Sequence, residues 1–422
     1  MTRAPELLLS ELSARLRGRR VAYVCADPGI GVFGTKGASV HVQAVVRTMR
    51  RAGARVEVFA VKTGGSPPPD LTDLPVHLLP VDTRHRDGAG RERALVEADT
   101  RLGAVLHAAG PFDMYYERYS LFSGRGAQWA AETGLPVIVE VNAPLIDEQA
   151  RHRHLAHPAE AAASLHRLMG AADLAVCVSE PVRAWLTGRT RVRRAVVVPN
   201  GADVHRVRPR AAAFPGGAPG TAGDGPGTPT AHRPPTIGFV GTLKPWHGVE
   251  VLLEAAAPLL RGEPDGAGAR LLVVGDGPQA ADLDIRAREL GITAGVHRTG
   301  AVHPGRVPGL LQQMDLAVAP YPRDAGTYFS PLKVLEYLAA GLPVVASAVG
   351  QLPDLVAHGR TGLLVPASDP TALRRALVEL LHDPHRRRRM GTAARAQAVA
   401  RHSWEHTLAR TLRALEGGVQ AA

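Results

Sequence analysis

Cysteine is nearly absent: in 422 residues, Cys25 and Cys177 are the two thiols. Both sit inside apolar, strand-like runs, which argues against a disulfide framework and predicts a reducing cytoplasm. Aromatic residues make up 4% of the chain, few for the base-stacking surfaces of an RNA reader. No apolar run is long enough to cross a membrane. The opening MTRAPELLLSELSARLRGRR has too short an apolar centre for a signal peptide, so an amphipathic surface helix is expected there. Lysine is scarce too. Lys36, Lys62, Lys244 and Lys333 are the four lysines in a chain with 50 basic residues, and three of them fall in loops suited to phosphate. An ammonium is a compact point charge, unlike the guanidinium used elsewhere in the chain.

What is present is length and positive charge. A chain of 422 residues exceeds one core and predicts two domains of similar size. Against 50 basic residues stand 39 acidic ones, a formal charge of +11 that would suit nucleic acid or an anionic membrane surface. The arginines are dispersed rather than gathered into a stripe, and no RNA-binding motif occurs. No nucleic-acid partner and no stable membrane insertion are therefore expected.

In the first half, short apolar runs at 21–26, 56–61, 114–116, 137–141, 174–178 and 195–198 alternate with helical patterns. That alternation predicts a parallel sheet covered on both faces, with ligands outside the carboxyl ends of its strands. The loop after the first run, ADPGIGVFGTKGASVHVQ, contains Gly29, Gly31 and Gly34 as a literal G-x-G-x-x-G. This raises a dinucleotide-dependent oxidoreductase as one reading. Against it, the next helix begins only near Gly37 or Ala38, and the second strand ends in Val61-Lys62 instead of an acid for the ribose. Further along, Glu117, Arg118, Glu140 and Asn142 fall at strand carboxyl ends. They either line a ligand cleft or include a buried Glu–Arg pair that organises the loop.

The most informative stretch is 329–348, FSPLKVLEYLAAGLPVVASA. Ser330 and Pro331 read as N-cap and first helical residue, Leu332, Leu335, Leu338 and Ala339 as the apolar stripe, and Gly341-Leu342-Pro343 as the stop before a strand. A helix N-terminus presents free N–H groups and partial positive charge to a phosphate. Lys333 opposes the macrodipole, which makes it a phosphate ligand candidate; Glu336, on the same face, suits a ribose diol. Lys244 lies in the loop TIGFVGTLKPWHG, and Gly275 and Gly277 in the strand-end turn LLVVGDGP. Residues 209–235 are dense in Gly, Pro, Ala and Thr and read as a linker or insertion. No metal is predicted: Asp282 and Asp284 form a D-x-D on the wet face of a helix over 279–290, His152, His154 and His157 share no helix face, and His402 with His406 is a lone pair.

SPLKVLEYLAAGLPVVAS resembles the donor-site signature of family 4 glycosyltransferases, retaining enzymes of the GT-B fold, in which two Rossmann-like doubly wound domains face each other across a cleft. The glycine-rich first loop, the segment VVVPNGAD with a positive-φ turn expected at Asn200-Gly201, and GRTGLLVPASDP extend the resemblance over most of the chain. It implies an N-terminal acceptor domain over 1–205, a linker over 206–235, a donor domain over 236–400, and a last helix over 401–422 crossing back to the first domain. The donor would be held by Gly34, Gly37, Thr242, Gly275, Gly277, Ser330, Pro331 and Leu332. Lys244, Lys333 and Glu336 are the catalytic candidates, and Glu117, Arg118, Glu140 and Asn142 the acceptor-side ones.

Three departures stand out. Tyr116 and Arg118 occupy the places of a His-x-His element whose second histidine contacts the donor sugar. Thr242 and His247 replace an arginine and a lysine that clamp the pyrophosphate, with Lys244 as the substitute. Tyr328 replaces the first glutamate of the signature. The resemblance implies metal-independent transfer, without a cofactor, of a hexose or N-acetylhexosamine from a nucleoside diphosphate sugar such as UDP-GlcNAc or UDP-glucose. The acceptor would be a hydroxyl of a small molecule; ADPGIGVFGTKGASVH and YERYSLF resemble enzymes acting on aminocyclitols such as 2-deoxystreptamine in antibiotic pathways. A lipid-linked or polysaccharide acceptor is the alternative.

Overall fold

The structure, a computed structural model, describes residues 5–81, 87–210, 233–262, 268–323, 328 and 330–417. Strands β1 (Arg20–Cys25), β2 (Arg55–Ala60), β3 (Val76–Leu78), β4 (Met114–Arg118), β5 (Val137–Val141), β6 (Leu174–Cys177) and β7 (Ala195–Val197) form one sheet. A second sheet contains β8 (Thr236–Val240), β9 (Arg270–Val274), β10 (Val296–Arg298), β11 (Leu316–Ala319), β12 (Val344–Ser347) and β13 (Gly362–Val365). The orders are β3-β2-β1-β4-β5-β6-β7 and β10-β9-β8-β11-β12-β13, with parallel pairing throughout.

The fold follows from the strand sequences. RVAYVC of β1 is apolar on both faces, as a strand covered by helices on both sides must be. Tyr23 and Tyr116 face a core roofed by the helices Gly37–Arg51 and Trp404–Glu416, while Tyr115 and Val139 face one roofed by Gly88–Ala109 and Arg125–Glu132. Both sheets reverse direction once, between β1 and β4 and between β8 and β11. A crevice opens at such a reversal, and the loops after these four strands border it. The result is two doubly wound α/β domains facing across a cleft.

Two edge strands, β3 and β13, go beyond the expected set; at three and four residues they are too short to show a period. The amphipathic opening forms the helix Pro5–Leu16, burying Leu8, Leu12 and Leu16 and leaving Leu7 exposed. The helix Trp404–Glu416 packs on it and on Gly37–Arg51, with Arg413 Nε donating to Glu11 at 2.7 Å. Of the expected linker over 206–235, residues 211–232 lie outside the described residues, as do 418–422 of the expected last segment and Phe329 of the signature. Among the described residues, no helix is long and apolar enough to cross a membrane.

Candidate active site

The signature helix is Leu332–Ala339, one residue later than expected. Pro331 takes the cap position, and Ser330 precedes it with its hydroxyl committed elsewhere. Asn200 N–H donates to Ser330 Oγ at 3.1 Å, and Asn200 Nδ2 to the Ser330 carbonyl at 3.4 Å. The loop before the helix is thereby tied to the chain leaving the first sheet. Gly201 serves close approach and not the expected positive-φ turn: a Cβ there would lie 2.6 Å from Trp404 N, and neither Asn200 nor Gly201 has positive φ. At the other side of the helix, Tyr337 Oη accepts from Val240 N–H at 2.7 Å, pinning it to the end of β8. Leu332 reaches across to Gly37, where an added Cβ would lie 3.9 Å from Leu332 Cδ1.

Lys333 therefore enters the crevice beside β8. Its Nζ lies 4.3 Å from the Phe239 ring centre and 5.3 Å from that of Tyr321, closed off from water and without a hydrogen-bond acceptor. A Cβ on Gly241, where φ is +151°, would come within 2.7 Å of this nitrogen. Burial lowers Lys333 to about 7 although Glu336 opposes it, and burial raises Glu336 to about 7 against the pull of Arg206. A cation held in an aromatic pocket without a bonded counter-ion is costly unless an anion joins it.

Lys244 caps the short turn Pro245–His247, with its Nζ 4.6 Å from the Trp246 ring centre. Its pKa is lowered by burial first, then by the charges of Lys36 and Arg153 from the first domain. Thr242 is exposed, and its carbonyl accepts from His247 Nδ1. Burial and Lys333 push His247 down to about 3, so at neutral pH the ring is an uncharged donor. It does not replace a clamping cation; Lys244 and Lys333 are the ammonium groups there.

The glycines serve to bring loops together. A Cβ on Gly275 would fall 2.0 Å from the Gly241 carbonyl, and one on Gly277 would fall 2.5 Å from that of Leu243. On the first domain, Gly34 lies against Ser39, and Gln43 Nε2 holds the glycine-rich loop by donating to the carbonyls of Val32 and Gly34, both at 3.0 Å.

The four acceptor-side candidates separate. Glu117 is fully buried on the far face of β4, where it accepts from Tyr115 Oη at 2.6 Å. Strand alternation turns it away from Arg118, so there is neither a Glu–Arg pair nor a cleft-lining Glu117. Arg118, Glu140 and Asn142 share the opposite face. Glu140 is bonded to a residue the sequence did not single out as functional, His41, whose Nε2 lies 2.8 and 2.9 Å from the two carboxylate oxygens. Burial alone would raise this carboxyl, but His41 and Arg118 hold it below its ordinary range. Position within the helix following the glycine-rich loop was the only sequence clue to His41. Tyr328, which replaces the first glutamate of the signature, bridges the domains: its hydroxyl binds Glu148 and its carbonyl accepts from Ser179 Oγ at 2.5 Å. Asp284 of the D-x-D binds Arg298 at 2.6 Å, and among the described residues no three His, Cys, Asp or Glu side chains gather as a metal cage.

Two doubly wound parallel-sheet domains facing across a cleft are the architecture of GT-B glycosyltransferases. Residues 36–201 match the family described as glycosyl transferase 4-like domain, and 234–383 the one described as glycosyl transferases group 1. The chain is 30% identical to D-inositol 3-phosphate glycosyltransferase 2 of Catenulispora acidiphila, over 91% of this chain and 90% of that one. Its fold is shared with the sucrose-phosphate synthase of Thermosynechococcus elongatus (TM-score 0.66, 21% identity, 96% of this chain and 100% of that one). It is shared also with Anabaena HepE in complex with UDP-glucose (TM-score 0.65, 18% identity, 94% and 100%). The chain belongs to the family 4 glycosyltransferases and is a hexosyltransferase.

Proposed function

We propose that the chain is a retaining, metal-independent enzyme that moves a hexose or N-acetylhexosamine from a UDP-sugar to a hydroxyl of a small cyclitol. Residues 236–400 serve as the donor domain and 1–205 as the acceptor domain. The observation that carries this reading is Lys333, an ammonium shut in the crevice without an acceptor; Lys244 joins it in bearing on His247, and Lys244 in turn feels the fields of Lys36 and Arg153. A diphosphate supplies the missing negative charge. As the sugar C1–O bond to phosphate breaks, charge grows on the leaving oxygen, and preorganised cations stabilise it; removing one such group costs about 3 kcal/mol. The acceptor oxygen bonds C1 from the same face, and its proton passes to the departing phosphate. Ser330, Pro331, Leu332, Gly34, Gly37, Thr242, Gly275 and Gly277 shape the donor pocket, and Glu336 accepts from the ribose. Uridine is favoured because HepE, of the same fold, holds UDP-glucose.

For the acceptor, an aminocyclitol would need uncommitted acids. Glu140 is bonded to His41, Glu148 to Tyr328, and Asp147 to Trp185 and Arg189. A cyclitol without ammonium groups, of the inositol type on which the Catenulispora relative is named as acting, fits this better than 2-deoxystreptamine. A reducing cytoplasm suits the buried free thiols Cys25 and Cys177. The test is to incubate the protein with UDP-GlcNAc or UDP-glucose and, separately, inositol, inositol 3-phosphate, 2-deoxystreptamine or a lipid-linked acceptor, and to identify products by mass. A glycosylated inositol is expected. Transfer confined to 2-deoxystreptamine or a lipid would refute the acceptor assignment, and failure to bind any UDP-sugar would refute the whole reading.

A further inference from the structure

At the reversal point of the first sheet, a second cation lacks a bonded partner. β4 runs parallel to β5 with Arg118 opposite Glu140, and alternation sends Tyr116 and Arg118 toward the face covered by the helix Gly37–Arg51. On that face Tyr23 and Tyr116 stack, ring centres 5.5 Å apart. Arg118 Nη1 is closed off from water and has no hydrogen-bond acceptor; Tyr23 Oη is in the same condition. The nearby carboxylate is Glu140, whose two oxygens both face His41 Nε2, and no ion pair joins Arg118 to it among the described residues. Asn142 lies close enough to that carboxylate to help hold it below its ordinary range, yet its buried Nδ2 makes no well-formed hydrogen bond.

Two unsatisfied N–H donors, one on a full positive charge, thus lie on adjacent strand ends where a parallel sheet opens to its ligand. Leaving them unmet carries a full desolvation cost, which a substrate oxygen removes. The donor diphosphate is accounted for on the other sheet, at Lys333 and Lys244. We infer that Arg118, flanked by Asn142, holds a compact oxyanion carried by one of the two substrates: a phosphate on the cyclitol ring, or a carboxylate on the transferred sugar. A guanidinium matches either oxyanion with paired hydrogen bonds and favours it over a neutral hydroxyl. This rests on the transferase reading above, since it assigns the charge of that reaction's substrates.

Calorimetry on the whole chain tests it. UDP-saturated protein is titrated with inositol 3-phosphate and with inositol; free protein is titrated with UDP-glucuronate and with UDP-glucose. In one of the two pairs the charged ligand is expected to bind about 10- to 100-fold tighter than its neutral counterpart. Arg118→Met erases that ratio and Arg118→Lys retains part of it, each variant being checked by its melting curve. A ratio in the first pair assigns a phosphate on the acceptor; a ratio in the second assigns a carboxylate on the donor. Equal affinities within both pairs, or a ratio that survives in Arg118→Met, overturns the inference and leaves buried water as the partner of Nη1. Absence of UDP binding by the wild type refutes the transferase reading itself, and this inference with it.

Discussion

Lys333 and Glu117 show how burial acts on side chains of opposite charge. Both are enclosed, yet Lys333 faces the crevice between sheets and Glu117 faces the core behind one. Burial brings Lys333 down to about 7, and a diphosphate bound beside it would favour its ammonium form. UDP binding should therefore take up a proton above neutral pH and weaken by up to about 15-fold from pH 7 to 8.5. Titrations in buffers of different ionisation enthalpy would show this, and affinity flat across the range would contradict it. Glu117, raised to about 7 chiefly by burial, holds its proton more tightly folded than unfolded. Its favourable contribution is complete below its ordinary pKa and is lost as pH rises toward 7 and above. Glu117→Gln, which keeps an oxygen for Tyr115, should raise the melting temperature by roughly 5 °C at pH 8 and change it little at pH 4. Lys333 was legible in the sequence because a lysine in a first helical turn conflicts with the macrodipole. The place of Glu117 was not, because strand alternation decides its face only once β4 is anchored to its neighbours.

Among the elements, the loops after β8 and β9 are fitted to each other by glycine. Gly275, at φ +140°, leaves room for the Gly241 carbonyl, and Gly241 leaves room for Lys333. Gly275→Ala should cost at least about 2 kcal/mol through backbone strain and steric conflict. It should also weaken UDP binding, because the loop it displaces lies against Lys333. Thermal melts and titration together check this; an alanine variant with wild-type melting and affinity would contradict it. The central strands and the signature helix could be read from period and stop signals. The helix start was misplaced by one residue, because the hydroxyl of Ser330 serves Asn200, 130 positions away in sequence. A partner that distant leaves no local trace.

At the level of the whole molecule, the last helix joins the two halves. Trp404 meets His41 edge-on with ring centres 4.9 Å apart, beside the Glu140 pair, and Gly201 makes room for its backbone. Gln351 Nε2 donates to the Val178 carbonyl at 2.8 Å, and Tyr328 bridges to Ser179 and Glu148, so the domains already touch along one side. Trp404→Ala should lower stability by about 3–5 kcal/mol and loosen the first domain around His41, seen as a lower melting temperature and faster hydrogen exchange in the helix Gly37–Arg51. Two domains were predictable from length and alternation, and the return of the chain at its end from resemblance. The contacts that bridge the cleft were not, since each unites residues from opposite halves.

The most direct measurement of the donor site is the affinity of UDP for Lys333→Met. The substitution keeps the length and removes the charge, and by relieving a buried ammonium it should leave the melting temperature equal or higher. UDP binding at pH 7 is predicted to weaken at least about tenfold, with transfer slowed by about 100-fold. Wild-type affinity in a folded Lys333→Met protein would mean that the crevice between the sheets does not hold the diphosphate.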